Sequence, residues 1–183
     1  MKITILNGNP DAGNELFDGY LQRLAGALEP GGHEVAALTL REMDIKQCIG
    51  CFDCWLKTPG VCVHQDDGPG VCRDMINSDL VLYASPVVMG FPSELLKRTV
   101  ERTIPLLLPY FKFVEGEVRH KLRYDGFPRM GVLWERSGDT DDEDLEIVNE
   151  IFEQVAQEFS GTLSVNESTN TPAEEVANAI SGL

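Results

Sequence analysis

Five short apolar runs, separated by amphipathic stretches, constrain this chain more than any other feature. Lys2–Asn7, Glu34–Leu40, Leu80–Ala84, Met130–Trp134 and Gly161–Val165 read as strands. Between them apolar residues recur at helical spacing. Phe17, Tyr20, Leu21, Leu24, Ala25 and Leu28 form one such face, which Pro30-Gly31-Gly32 stops. Val71, Cys72, Met75 and Ile76 form a second, and Leu95, Leu96 and Val100 a third behind Ser93 as N-cap. Leu145 to Phe159 carries a long helix whose acidic first turn suits its dipole. Thr171-Pro172-Ala173-Glu174 reads as an N-cap, a proline at N1 and a capping-box glutamate, opening a last helix. Strands that alternate with helices bury themselves as a parallel sheet covered on both faces, so the expected class is α/β.

The 183 residues are expected to form one domain. Two segments interrupt the rhythm: a cysteine-rich insertion at about 48–70, and Ile104–Phe127, where Phe111–Tyr124 is expected to form a hairpin turning near Glu115-Gly116. The net charge of −15 opposes phosphate backbones and anionic membrane surfaces, which excludes general nucleic-acid binding. The apolar stretches Leu80–Pro92 and Ile104–Phe111 are too short for a membrane span, and the first residues too short for a signal peptide. The expected location is therefore the cytoplasm. Ile104–Phe111 is too apolar to lie exposed, which points to a homo-oligomer, a dimer or tetramer.

In a reducing compartment, clustered cysteines point to metal or redox chemistry rather than to disulfides. Cys48-x2-Cys51-x2-Cys54-x7-Cys62 offers four thiolates, the ligand count of a [4Fe–4S] cluster. They cannot converge from a straight helix or strand, but a loop curled at Gly50 and Gly60 brings them together. Packed or redox-active thiols and a zinc site are the other readings. Cys72 belongs to a helix face and reads as a core thiol. Asp66-Asp67 reads as a helix cap, and Lys97 with Glu101 as a solvated pair. No Ser/His/Asp order or zinc-protease motif supports a hydrolase.

The loop Gly8–Asn14 runs from the first strand into a helix N-terminus, where backbone N–H groups can meet an anion. Together with Cys48–Cys54, Gly60-Val61-Cys62 before Asp66-Asp67, Ser78–Val81, Ala84-Ser85-Pro86-Val87, and Leu96-Lys97-Arg98 with Glu101-Arg102, it resembles the flavodoxin-like NAD(P)H-dependent FMN reductases. The similarity is to their iron–sulfur flavoprotein branch in particular. That resemblance implies a flavodoxin-like three-layer sandwich, with a five-stranded parallel sheet in the order 2-1-3-4-5. It implies FMN at the C-terminal edge, NAD(P)H as electron donor, and a second subunit completing the flavin site. Gly8, Asn9, Gly13 and Asn14 would hold the phosphate. Ser85, Pro86, Val87, Val88, Met89, Gly90 and Phe91 would lie along the ring, and Trp134 and Ser137 would approach it from another side. Cys48, Cys51, Cys54 and Cys62 would ligate the cluster. Where relatives carry serine, a basic residue and serine or threonine in the phosphate loop, this chain has Asn9, Asp11 and Glu15; Val88 replaces a tyrosine. Two function classes follow: an FMN-dependent oxidoreductase, or a non-catalytic interaction or sensing domain that has lost FMN.

Overall fold

The computed structural model describes residues 1–159 and 161–183. Five parallel strands form its main sheet: β1 (Lys2–Asn7), β2 (Glu34–Thr39), β3 (Leu80–Val88), β7 (Arg129–Glu135) and β8 (Leu163–Ser168). Their order, β2-β1-β3-β7-β8, is the expected 2-1-3-4-5 in chain order. β3 runs past its expected end, to Val88, and turns back as the two-residue β4 (Phe91–Pro92), paired antiparallel to it, while β8 lies later than expected, to Ser168 rather than Val165.

The central strands bury both faces, and alternate residues serve different cores. Ile3, Ile5, Leu80, Leu82 and Ala84 pack against α1 (Glu15–Leu28) and α6 (Ala173–Ser181). Leu6, Val81 and Tyr83 pack against α3 (Gly68–Ile76), α4 (Glu94–Glu101) and α5 (Asp142–Glu158). This period of two feeding two cores is why the strands read as continuous apolar runs. Helix entries follow local chemistry. Ser93 Oγ accepts the Leu96 N–H, and Asp141 and Asp144 form a reciprocal capping box at the acidic start of α5. The last helix departs from expectation. Thr171 does not cap it; its hydroxyl donates to Glu167 at 2.9 Å, and the Pro172 carbonyl receives the first helical N–H groups.

Because α4 has only eight residues, the chain leaves the sheet early. It forms the expected hairpin, β5 (Leu107–Val114) and β6 (Glu117–Leu122), turning at Glu115 and Gly116, both at positive φ. The apolar run before it divides. Pro105, Leu106 and Leu107 are buried in the chain's own core, while Tyr110 and Phe111 stay exposed beside Phe113. The insertion carries one short helix, α2 (Asp53–Leu56), whose Trp55 indole donates to the Ile104 and Leu107 carbonyls and so seats the cysteine loop on the hairpin base. Among the described residues, no helix is long and apolar enough to cross a membrane.

Candidate functional site

The C-terminal ends of β1, β3 and β7 bring three loops together. Asn14, the N-cap of α1, donates from its amide to Glu135 at the end of β7, at 2.6 Å. Met89 and Gly90 turn the β3–β4 hairpin in left-handed backbone, φ 52° and 76°, against the start of α5. A Cβ at Gly90 would lie 2.6 Å from Asp144 Oδ1, so this approach and this φ both require glycine. Gly8 is a second close approach: a Cβ there would meet Leu96 Cβ at 2.8 Å. Its N–H donates to the Ala84 carbonyl and its own carbonyl accepts from Ser93, which lock the β1 loop to β3.

The first loop is held by its own side chains. Asn9 is fully buried; its amide donates to Asp18 and to the Asn14 carbonyl. Asp11 Oδ1 accepts the Gly13 N–H at 2.8 Å, a carboxylate where a phosphate oxygen would sit in an anion cradle. Among the described residues, the N–H groups of Ala12, Glu15 and Leu16 remain without an acceptor. The nearby cation, Arg41, is committed to Asp18 at 2.7 Å. Burial pushes the Asp18 carboxyl up, but hydrogen bonds from Arg41, Asn7 and Asn9 outweigh it and hold it below its ordinary value. Glu135 behaves oppositely: burial raises it, the Asn14 bond offsets part of that, and the Asp18 charge adds to it. Glu135 escaped the sequence reading because a glutamate at a strand end looks like any surface carboxylate.

The β3 loop divides between core and surface. Ser85 is fully buried; its hydroxyl accepts the Ser93 N–H and donates to the Pro86 carbonyl, so it fixes the turn from inside. Val87 is likewise buried. Val88, Met89 and Phe91 are exposed and form an apolar tip. Trp134 lies in the core, its indole donating to Asn149 at 2.8 Å with its ring edge-on to Phe152. Its side chain therefore does not face the crevice; the residue that β7 delivers there is Glu135. Ser137 bonds Asp139 and Thr140 in the turn before α5.

The cysteine loop curls as expected, with positive φ at Gly50 and Gly60 and also at Phe52. Cys54 is buried, and burial together with Cys62, Cys48 and Cys51 pushes its thiol up. Their donor set suits a four-thiolate cluster. Among the described residues, however, no three Cys, His, Asp or Glu side chains converge in a ligating arrangement. Cys72 is a core thiol, pushed up to about 12 by burial.

Asp66 is a correction to the capping assignment. It accepts the Gly68 N–H, but its main partner is Arg102, bidentate at 2.7 and 2.9 Å, with both side chains at most 2% exposed. The same pair holds both backbone groups of Lys46: Asp66 accepts its N–H and Arg102 donates to its carbonyl. The entrance and exit of the cysteine loop are thereby tied together. Asp67 accepts from the Asp44 N–H and makes no cap.

Residues 1–120 match the family described as NADPH-dependent FMN reductase. The chain belongs to this family. An iron–sulfur flavoprotein of Archaeoglobus fulgidus is 32% identical over 103 residues, 56% of this chain and 49% of that protein. One from Methanocaldococcus jannaschii is 29% identical over 111 residues, 60% of this chain and 55% of that one. The chain thus spans about half the length of these curated relatives. In structure it is similar to an azoreductase from Bacillus anthracis, at TM-score 0.69 and 12% identity, with both chains fully covered. An FMN-dependent NADH-azoreductase of Bacillus anthracis, solved with FMN, gives TM-score 0.63 at 13% identity, covering 98% of this chain and 95% of that one. These likenesses place the fold of this family member among the flavodoxin-like proteins.

Proposed function

We propose that this chain is an FMN-dependent oxidoreductase that draws electrons from NAD(P)H, with the flavin in the crevice between the β1, β3 and β7 loops. The observation that carries the reading is the convergence of those loops through Asn14–Glu135 and the Met89–Gly90 turn, beneath the exposed tip of Val88, Met89 and Phe91. A flat apolar ring covers such a tip favourably. Bound there, FMN supplies the exchange between two-electron and one-electron transfer. The free N–H groups of Ala12, Glu15 and Leu16 bind its phosphate, and Gly8 keeps the loop close to β3. Asp11 must release Gly13 for the phosphate to take the full cradle. Glu135, with its raised pKa, holds a proton at the crevice more readily than an ordinary glutamate.

Cys48, Cys51, Cys54 and Cys62 are proposed to hold a [4Fe–4S] cluster, a reading supported by their donor set and by the names of the relatives. The exposed Tyr110, Phe111 and Phe113 on the hairpin suit a homo-oligomer, and the clustered free thiols suit a reducing compartment such as the cytoplasm.

The test is quenching of FMN fluorescence by the purified chain, alongside Asp11→Ser, which frees Gly13 and removes a charge. Saturable 1:1 quenching is expected, tightened about tenfold by Asp11→Ser, equivalent to about 1.4 kcal/mol. Absence of quenching by both proteins overturns the reading and favours the interaction-domain alternative. Equal affinities would remove Asp11 from the phosphate site.

A further inference from the structure

The largest cavity among those seen lies away from the flavin crevice. It runs beside α3 from Cys62 to the N-terminal edge of the sheet, ending at Ser78, Asp79 and Arg129, and measures about 860 Å³. After Glu101 the chain turns off through Pro105 and Leu106, then returns to β7 through Gly126–Pro128, and the space between these passages and α3 is left open. That volume falls in the range of small-molecule sites.

The lining is graded. At the inner end, Arg102 is buried and held by Asp66, and the Cys62 sulfur lies within reach of its guanidinium; among the described residues its Nε–H meets no oxygen or nitrogen acceptor. A thiol sulfur is at best a weak acceptor, so a ligand oxygen would be the better partner for this buried donor. The middle is apolar, with Pro69, Ile76, Leu106 and Phe127. Phe127 is held flat by stacking on Phe159, centroids 3.8 Å apart. At the outer lip stand Arg73 and Arg129, neither in an ion pair with any described carboxylate, although the chain has 30 acidic residues against 15 basic ones. The carboxylate beside them, Asp79, is occupied by the Lys2 N–H at 2.6 Å.

From this grading we propose that the cavity is a second binding site, for a flat aromatic anion with an oxygen acceptor at the end opposite its carboxylate. The aromatic body fills the apolar middle, the carboxylate meets Arg73 and Arg129, and the far oxygen accepts from Arg102 Nε. Charge complementarity selects the anion: on a chain of net charge −15, these guanidiniums make the lip a local exception. The site does not depend on the flavin reading, since it shares none of the crevice residues.

The probe is 6-acetyl-2-naphthoate, titrated calorimetrically into the full chain with and without saturating FMN. One-to-one binding is expected, unchanged by FMN. 2-Naphthoate, which lacks the far oxygen, should bind several-fold more weakly. The double variant Arg73→Gln/Arg129→Gln should weaken binding about tenfold or more, and Ile76→Trp, which fills the middle, should abolish it. The lip variant alters only exposed side chains, so it stays informative should Ile76→Trp fail to fold. Lack of saturation by about millimolar probe, competition with FMN, or undiminished affinity in the lip variant would each overturn the proposal. Failure of FMN to bind would leave this result unaffected and count only against the flavin reading.

Discussion

Asp66→Asn is the most informative single change in this chain, because it leaves the Arg102 charge in place with no counter-charge. Both side chains are at most 2% exposed, and the pair is bidentate. Removing one partner of a buried ion pair costs about 3–5 kcal/mol, whereas the intact pair itself adds little over an apolar replacement. With a urea m-value of about 2 kcal/mol/M, the midpoint should fall by about 2 M. Asp66→Asn/Arg102→Met should recover much of this loss, since no charge is then stranded. The damage should also be local: amide exchange across residues 47–65 should accelerate, because the pair ties Lys46 to Asp66. The pH dependence has a definite sign. Hydrogen bonds from Arg102 hold the Asp66 carboxyl far below the ordinary carboxylate range. Its stabilisation is therefore complete above the unfolded value of about 4 and is lost as pH falls through the lowered folded value. Urea midpoints between pH 6 and 2 should fall more steeply for the wild type than for Asp66→Asn. A loss below about 1 kcal/mol in the single variant, or a double variant no better than the single, would refute the argument.

Other outcomes follow from single sites. Tyr83 is fully buried and its hydroxyl has no partner among the described residues, so Tyr83→Phe should be neutral or raise stability by about 1 kcal/mol in urea unfolding. Gly90→Ala should cost about 1–2 kcal/mol in the same assay, from its left-handed backbone and the displaced Asp144 of the α5 capping box. After anaerobic reconstitution, serine at Cys48, Cys51, Cys54 or Cys62 should each lower bound iron and acid-labile sulfide together, while Cys72→Ala should leave both unchanged. FMN affinity should rise with added salt, because Asp11 and Glu15 oppose the phosphate and Arg41 is already paired; weakening by salt would show an unrecognised cation in the site.

The sheet was legible because its signals are local. Strands buried on both faces read as apolar runs; their order came only from the family resemblance, because right-handed crossovers are common to several doubly wound orders. Ser93 and the acidic first turn of α5 were equally local, each needing only its own helix, whereas the Asp141–Asp144 box within that turn emerged only from the structure. Thr171 was misread because hydroxyl chemistry does not identify its partner: Glu167, four residues earlier, competes with the helix N–H groups. Ser85 and Trp134 show a further limit. Position at a strand end is readable, but whether a side chain turns inward depends on neighbours such as Ser93 and Asn149, far along the chain.

The Asp66–Arg102 pair is the extreme case of that limit. The partners lie 36 positions apart on different elements, and each alone has an ordinary reading, a helix cap and a helix-end arginine. What joins them is the absence of anything larger at Gly68, where a Cβ would lie 2.8 Å from Arg102 Nη2. Arg102 can therefore pass over the start of α3 to reach Asp66, and the two can close the loop that carries four cysteines. A loop so closed at its neck can rearrange inside without disturbing the sheet. On the proposed cluster, that separation would let the sulfurs draw together while Lys46 and Asp66 stay fixed. The ion pair would then mark the boundary between the scaffold and the loop proposed to ligate the cluster.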